Sequence, residues 1–315
     1  MGRSALHKRR GLRHDRYMGS PAEVQRPVVV GADGSASAER ALRWAAREAA
    51  RRHAPLRIVN AWHEPSATMP GPMGGPHVDP EELRGGSLHL LERARSTVQR
   101  VVGEDLEITL QPVVGHAAEA LVAASKDAGL LVVGQRGRGA VVGAVLGSVA
   151  ASCARHSTVP VAIIGLEGPE GPPARLVVGL DTSEGSRRAL RWALQESVLS
   201  GASVHAVHGW QISEPAPDDA GLLDGPVFTG PTRSLLESIV ADESRDRPAS
   251  LAPVTLDAQS SNPGELLVDR AVGADLLVVG AREHRGLVQL LVGSVSQHCL
   301  HHSPCPLVIV PGPHR

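Results

Sequence analysis

The chain repeats itself, and that restricts its fold more than any other feature. Pro27-Val28-Val29-Val30-Gly31-Ala32-Asp33-Gly34-Ser35 is echoed by Leu176-Val177-Val178-Gly179-Leu180-Asp181-Thr182-Ser183. Ala41-Leu42-Arg43-Trp44-Ala45 returns as Ala189-Leu190-Arg191-Trp192-Ala193, 148 residues later. Leu131-Val132-Val133-Gly134 returns as Leu277-Val278-Val279-Gly280, 146 residues later. Gly147-Ser148-Val149 matches Gly293-Ser294-Val295, and Val159-Pro160-Val161 matches Cys305-Pro306-Leu307. Matches in one order with so small a slip mark a duplicated domain. In a chain of 315 residues each copy is long enough to bury its own core.

Within each copy, short β-rich apolar runs alternate with helical patterns. The first reads as strands at 27–32, 56–62, 106–113, 130–134 and 159–164, with helices at 37–53, 81–102, 117–127 and 147–156. The second reads as strands at 175–180, 203–210, 251–257, 275–280 and 306–310. Segments 130–134 and 276–280 are continuously apolar, as parallel strands covered on both faces must be. Alternation of this kind predicts an α/β fold: two tandem, doubly wound, mostly parallel five-stranded sheets with helices on both faces. The expected domains are 26–166 and 175–312, joined by a Pro/Gly-rich linker at 167–174. Residues 1–25 read as a disordered basic tail or an over-called start, with the true one at Met18. The Pro/Gly-rich stretches 63–80 and 211–231 read as lids over the strand ends or as loose insertions.

Composition removes several function classes. A net charge of -1 and a pI near 7.0 argue against a general nucleic-acid binder. No apolar run approaches the roughly 20 residues of a membrane helix. Cys153, Cys299 and Cys305 form no disulfide framework, which fits a reducing compartment and predicts a cytoplasmic protein.

The chemistry concentrates after the fourth strand of each copy. Gly134-Gln135-Arg136-Gly137-Arg138-Gly139-Ala140 leads through an apolar stretch to Gly147-Ser148. Glycines let backbone N–H groups turn toward an anion. The Gly-Ser pair opens a helix whose free N–H groups and dipole favour phosphate. This is neither a Walker A loop nor Gly-x-Gly-x-x-Gly. Asp33 and Asp181 end the first strand of each copy, where ligands of open parallel sheets sit. A carboxylate there accepts from an amino or ribose hydroxyl group. The alternative role is a helix N-cap, for which Ser37 and Thr182 or Ser183 compete.

The spacing Gly, two residues, Gly, nine residues, Gly-Ser resembles the ATP-binding universal stress proteins, and the resemblance covers roughly residues 26–311. Gly115-His116-Ala117-Ala118-Glu119-Ala120-Leu121 and Asn262-Pro263-Gly264-Glu265-Leu266-Leu267 resemble that family's turn into its third helix. His302-Ser303-Pro304-Cys305-Pro306 resembles its approach to the last strand. The resemblance implies an adenine-nucleotide α-hydrolase-like fold and ATP as ligand, with Mg²⁺. The implied first site is Gly31, Asp33, Gly134, Arg136, Gly137, Arg138, Gly147, Ser148 and Val149. The second is Gly179, Asp181, Gly280, Arg282, Glu283, Gly293, Ser294, Val295 and Ser296. The Asp would face the base, with Gly31 and Gly179 admitting it closely. Pairing of last strands is implied too, giving an internal pseudo-dimer of the two halves that dimerises again.

Two departures separate the copies. Glu283 replaces the second glycine, adding a Cβ and a negative charge beside phosphate. Ala150 stands where Ser296 keeps a hydroxyl, a loss of about 1 kcal/mol if that hydroxyl meets the ligand. The second site is therefore expected to be the weaker. No acid pair for fast phosphoryl transfer is visible, so nucleotide-dependent regulation in stress response is expected. The alternatives are a slow ATP hydrolase or nucleotidyl-transfer enzyme and a nucleotide-free dimerisation module. His298, His301, His302 and Cys305 read as a helix end rather than a zinc site, and Cys153 and Cys299 as buried packing.

Overall fold

The structure is a computed structural model that describes residues 26–62, 79–137, 146–168, 171–210, 229–281 and 293–312. The chain divides into two compact units that part between Leu166 and Glu167. The first contains β1 (Val28–Gly31), α1 (Ala36–Arg52), β2 (Leu56–Trp62), α2 (Pro80–Val102), β3 (Ile108–Val114), α3 (Ala117–Ala124), β4 (Leu130–Gly134), α4 (Ser148–His156) and β5 (Val161–Ile164). The second contains β6 (Arg175–Gly179), α5 (Glu184–Ser200), β7 (Ser203–Trp210), α6 (Thr229–Ser244), β8 (Thr255–Ser260), α7 (Pro263–Ala271), β9 (Leu276–Gly280), α8 (Ser294–His302) and β10 (Leu307–Val310).

Strand order is β3-β2-β1-β4-β5 in the first unit and β8-β7-β6-β9-β10 in the second. The described pairings within each unit are parallel. Val28 lies opposite Leu56 on one side and Leu130 on the other; Leu176 lies opposite Val204 and Leu276. Chain order therefore reverses between β1 and β4, and again between β6 and β9. Such reversals open a crevice at the strand C-termini.

The apolar runs account for the sheets. Val28, Val29 and Val30 are all fully buried although they point alternately to opposite faces, so helices cover both. α1 packs with α2, and α3 with α4. The core face of α1 is made of Ala41, Leu42, Ala45, Ala46 and Ala49, and these small side chains bring its backbone close to the sheet. Ser35 caps α1, its side chain accepting from the Ala38 N–H, and His53 ends the helix in a left-handed conformation at φ 51°. Ser183 and Gly201 cap α5 in the same way.

Two elements depart from the sequence reading by more than two residues at an end. The strand expected at 251–257 is Thr255–Ser260. Its register places Thr255 opposite His205, while Leu251 closes a turn on Pro248 and Arg247 holds the Ala252 carbonyl. Pro253 has no N–H for a ladder. The third helix stops at Ala124 rather than 127, because Ser125 N–H closes back onto Leu121 and Val122 and the chain turns. The stretches 63–78 and 211–228 lie outside the described residues, as does the apolar run 140–145.

Candidate functional site

At the C-terminal ends of β1 and β4 three segments converge. Asp33 follows β1 and its Oδ1 accepts the Ser35 N–H at 2.9 Å. After β4, the Gln135 N–H donates to Ile164 O at 2.8 Å. The Arg136 carbonyl accepts the Ser37 hydroxyl and, at 3.4 Å, the Ser35 hydroxyl. Gly147 N–H donates to Gln135 O at 2.8 Å, which brings the start of α4 back beside the segment. The first intrahelical bond of α4 runs from Ala151 N–H to Gly147 O. The N–H groups of Ser148, Val149 and Ala150 thus precede the helix's own ladder, the arrangement that favours an anion.

These segments enclose a cleft of about 630 Å³. Gly31, Asp33, Gly134, Arg136, Gly137, Gly147, Ser148 and Val149 all line it, and Arg138 lies outside the described residues. The matching cleft of the second unit, about 350 Å³, is lined by Gly179, Asp181, Gly280, Gly293, Val295 and Ser296. Ser294 opens α8 without lining that cleft; Arg282 and Glu283 lie outside the described residues. Asp181 Oδ1 accepts the Ser183 N–H at 2.8 Å, and the Asp181 N–H donates to Ser186 Oγ at 3.1 Å. Burial raises the Asp181 carboxyl, but hydrogen bonding from Ser183 and Ser186 and the nearby His208 outweigh it and hold it below the usual carboxylate range.

The structure changes the reason for several of these residues. A Cβ at Gly31 would lie 3.0 Å from Leu121 Cδ1, and one at Gly179 would lie 3.1 Å from Leu267 Cδ1. These glycines admit a leucine from α3 or α7, rather than serving only the approach of a base. A Cβ at Gly134 would lie 2.8 Å from the Ser37 backbone carbon, so this glycine lets β4 meet the start of α1. Gly137 faces Asp33 directly, its absent Cβ falling 2.9 Å from Oδ2. Ser37 is not the N-cap; Ser35 is. The Ser296 hydroxyl, expected toward ligand, is buried and donates to Gly280 O at 2.8 Å.

Two cleft residues went unnoticed in the sequence. Asn60 and His208, 148 residues apart, occupy the same place near the ends of β2 and β7 and line their clefts. A polar residue repeated near the end of an apolar strand was the available signal. Elsewhere the side chains are plainer. The rings of His298 and His302 lie 4.5 Å apart, and among the described residues no group of three or more His, Cys, Asp or Glu is arranged to hold a metal. Burial pushes the Cys153 and Cys299 thiols up to about 12 and Cys305 up to about 11, which keeps all three unreactive. No described helix is long and apolar enough to cross a membrane.

Fold and clefts together define a duplicated, doubly wound α/β protein with a helix N-terminus at each switch point. The sequence signature of the Universal stress protein family matches residues 25–165 and 174–311, and the chain belongs to that family. Universal stress protein Rv2005c of Mycobacterium tuberculosis is 32% identical over 297 residues, covering 92% of this chain and 98% of that protein. A universal stress protein from Archaeoglobus fulgidus shares the fold, with a TM-score of 0.67 over 90% of this chain and 98% of its own, at 20% identity. A universal stress protein solved in complex with cAMP is 32% identical, covering 45% of this chain and 98% of its own, with a TM-score of 0.35.

Proposed function

We propose that the clefts bind adenine nucleotides, ATP with Mg²⁺ in the first, and that occupancy regulates the protein's associations during stress. The observation that carries this reading is the convergence of Asp33, the Gly134–Gly137 segment and the first turn of α4 on one cleft. The free N–H groups at Ser148 and Val149 suit phosphate, and Asp33 suits an amino or hydroxyl donor of the nucleoside. A side chain at Gly137 would press on the Asp33 carboxylate, so glycine leaves that carboxylate undisturbed at the cleft wall. Mg²⁺ would ride on the phosphates and supply charge neutralisation. Binding rather than fast turnover is the expected output: Asp33 is the one carboxylate in the described lining of the first cleft, whereas efficient phosphoryl transfer needs a positioned base and metal ligands.

Mass spectrometry of ligand released from the purified protein, followed by calorimetric titration with ATP, tests the reading. Asp33→Ala should weaken the first cleft by about tenfold or more, the scale of a hydrogen bond to a charged group, while leaving the thermal melt close to the parent's. Unaltered ATP affinity in that variant would sink the assignment.

A further inference from the structure

The two clefts share a geometry but differ in one functional side chain. In the first unit Asn60 is buried and both ends of its amide are engaged. Nδ2 donates to Ala32 O at 2.6 Å, and Oδ1 accepts the Ser87 hydroxyl at 2.7 Å. In the second unit His208 makes the equivalent bond, its Nδ1 lying 2.8 Å from Leu180 O. A carbonyl oxygen can only accept, so Nδ1 carries the proton. In the neutral ring Nε2 is then an acceptor with a fixed position. Stacking on Trp210, with centroids 5.7 Å apart and planes at 25°, sets the ring's orientation. The ring lines the cleft beside Asp181, and Nε2 has no hydrogen-bond partner among the described residues.

We propose that His208 is a specificity-determining residue of the second cleft, accepting at Nε2 a hydrogen bond from an N–H or O–H group of the bound nucleoside. Among the described residues of the first cleft no imidazole stands in that place: the equivalent Asn60 already spends one donor on Ala32 O and one acceptor position on Ser87. The assignment rests on reading the clefts as nucleotide sites. It adds that the two copies select their ligands by different chemistry: a carboxylate beside an amide in one, a carboxylate beside an imidazole in the other.

The test uses the full chain with ¹⁵N-labelled histidine. The Nε2 resonance of His208, identified by its loss in His208→Asn, should move to a hydrogen-bonded position as ATP fills the second cleft. Purine riboside triphosphate, which lacks the amino group, and the 2′- and 3′-deoxy forms of ATP separate the donors. Loss of the movement with one of these probes names the base or the sugar as source, and either result supports the assignment. Asn at 208 can keep its N–H on Leu180 O, as Asn60 does on Ala32 O, while its oxygen falls short of the Nε2 position. His208→Asn should therefore fold and weaken ATP at the second cleft about three- to tenfold, leaving the first unchanged. An unmoved Nε2 resonance at saturating ATP, a movement that persists with every probe, or undiminished affinity in the variant overturns the role of His208 while leaving nucleotide binding intact. A second cleft that takes up no ATP at all overturns the nucleotide reading of that cleft and this assignment with it.

Discussion

Asp33 and Asp181 hold the same place in two copies of one domain, and each fixes the turn that follows by accepting the N–H two residues on. Asp181 carries a further consequence. Its carboxyl is held below the usual range, burial being outweighed by Ser183, Ser186 and His208. A depressed folded pKa contributes stability that is fully present above the unfolded value of about 3.9. That contribution is lost as pH falls through the lower folded value. The expected outcome is that Asp181→Asn flattens the acid limb of stability for the second unit, seen in melts taken between about pH 2 and 5. A variant whose acid limb matches the parent's would mean that the carboxylate's partners do not hold it in solution.

At the level of elements, each unit ties the C-terminal end of its fourth strand, β4 or β9, with a buried serine, but from opposite sides. In the first, Ser37 in the opening turn of α1 reaches across to Arg136 O. In the second, position 185 is glycine, where a Cβ would fall 2.7 Å from Ala281 O, and the tether comes instead from Ser296 on α8. The first unit has Ala150 at that position, fully buried and unable to supply one. Either tether is a single neutral hydrogen bond. Ser37→Ala and Ser296→Ala should each destabilise their own unit by about 1 kcal/mol, measured by urea titration. Ser37→Ala should in addition weaken ATP at the first cleft, because Arg136 and Gly137 lose their anchor. Full affinity in that variant would show that the segment is positioned without the serine.

For the whole molecule, the nucleotide reading proposed above gives two clefts that have diverged. Ser296 no longer counts in favour of the second, since its hydroxyl is engaged with Gly280. The difference at Gly137 and Glu283 then carries more weight, because a Cβ at 137 would already crowd Asp33. Glu at that position would add a like charge beside a carboxylate and phosphate. Gly137→Glu should weaken ATP at the first cleft by about tenfold or more, and Glu283→Gly should strengthen the second, a factor of ten being about 1.4 kcal/mol. Calorimetry that finds two equal sites in the parent, or no gain in Glu283→Gly, would remove the inequality.

The duplication, the parallel alternation of strand and helix, and the gathering of Asp33 with the Gly134 and Gly147 segments were legible in the amino-acid order alone. Each rests on a local signal: an apolar run, a helical period, or a glycine spacing repeated about 147 residues on. β8 was misplaced because its own pattern is weak, and its register against β7 sets its ends. Tertiary structure alone decided why Gly31 and Gly134 are glycine, since Leu121 and Ser37, which fill the space beside them, lie 90 and 97 residues away in the chain. It alone decided that Ser35 caps α1 while Ser37 holds a loop. It alone decided that the Asn60 amide holds Ala32 O and the Ser87 hydroxyl, whereas His208 Nε2 has no partner among the described residues. Burial propensity is written residue by residue, whereas the atom that occupies a gap or takes a hydrogen bond is settled only when distant elements pack.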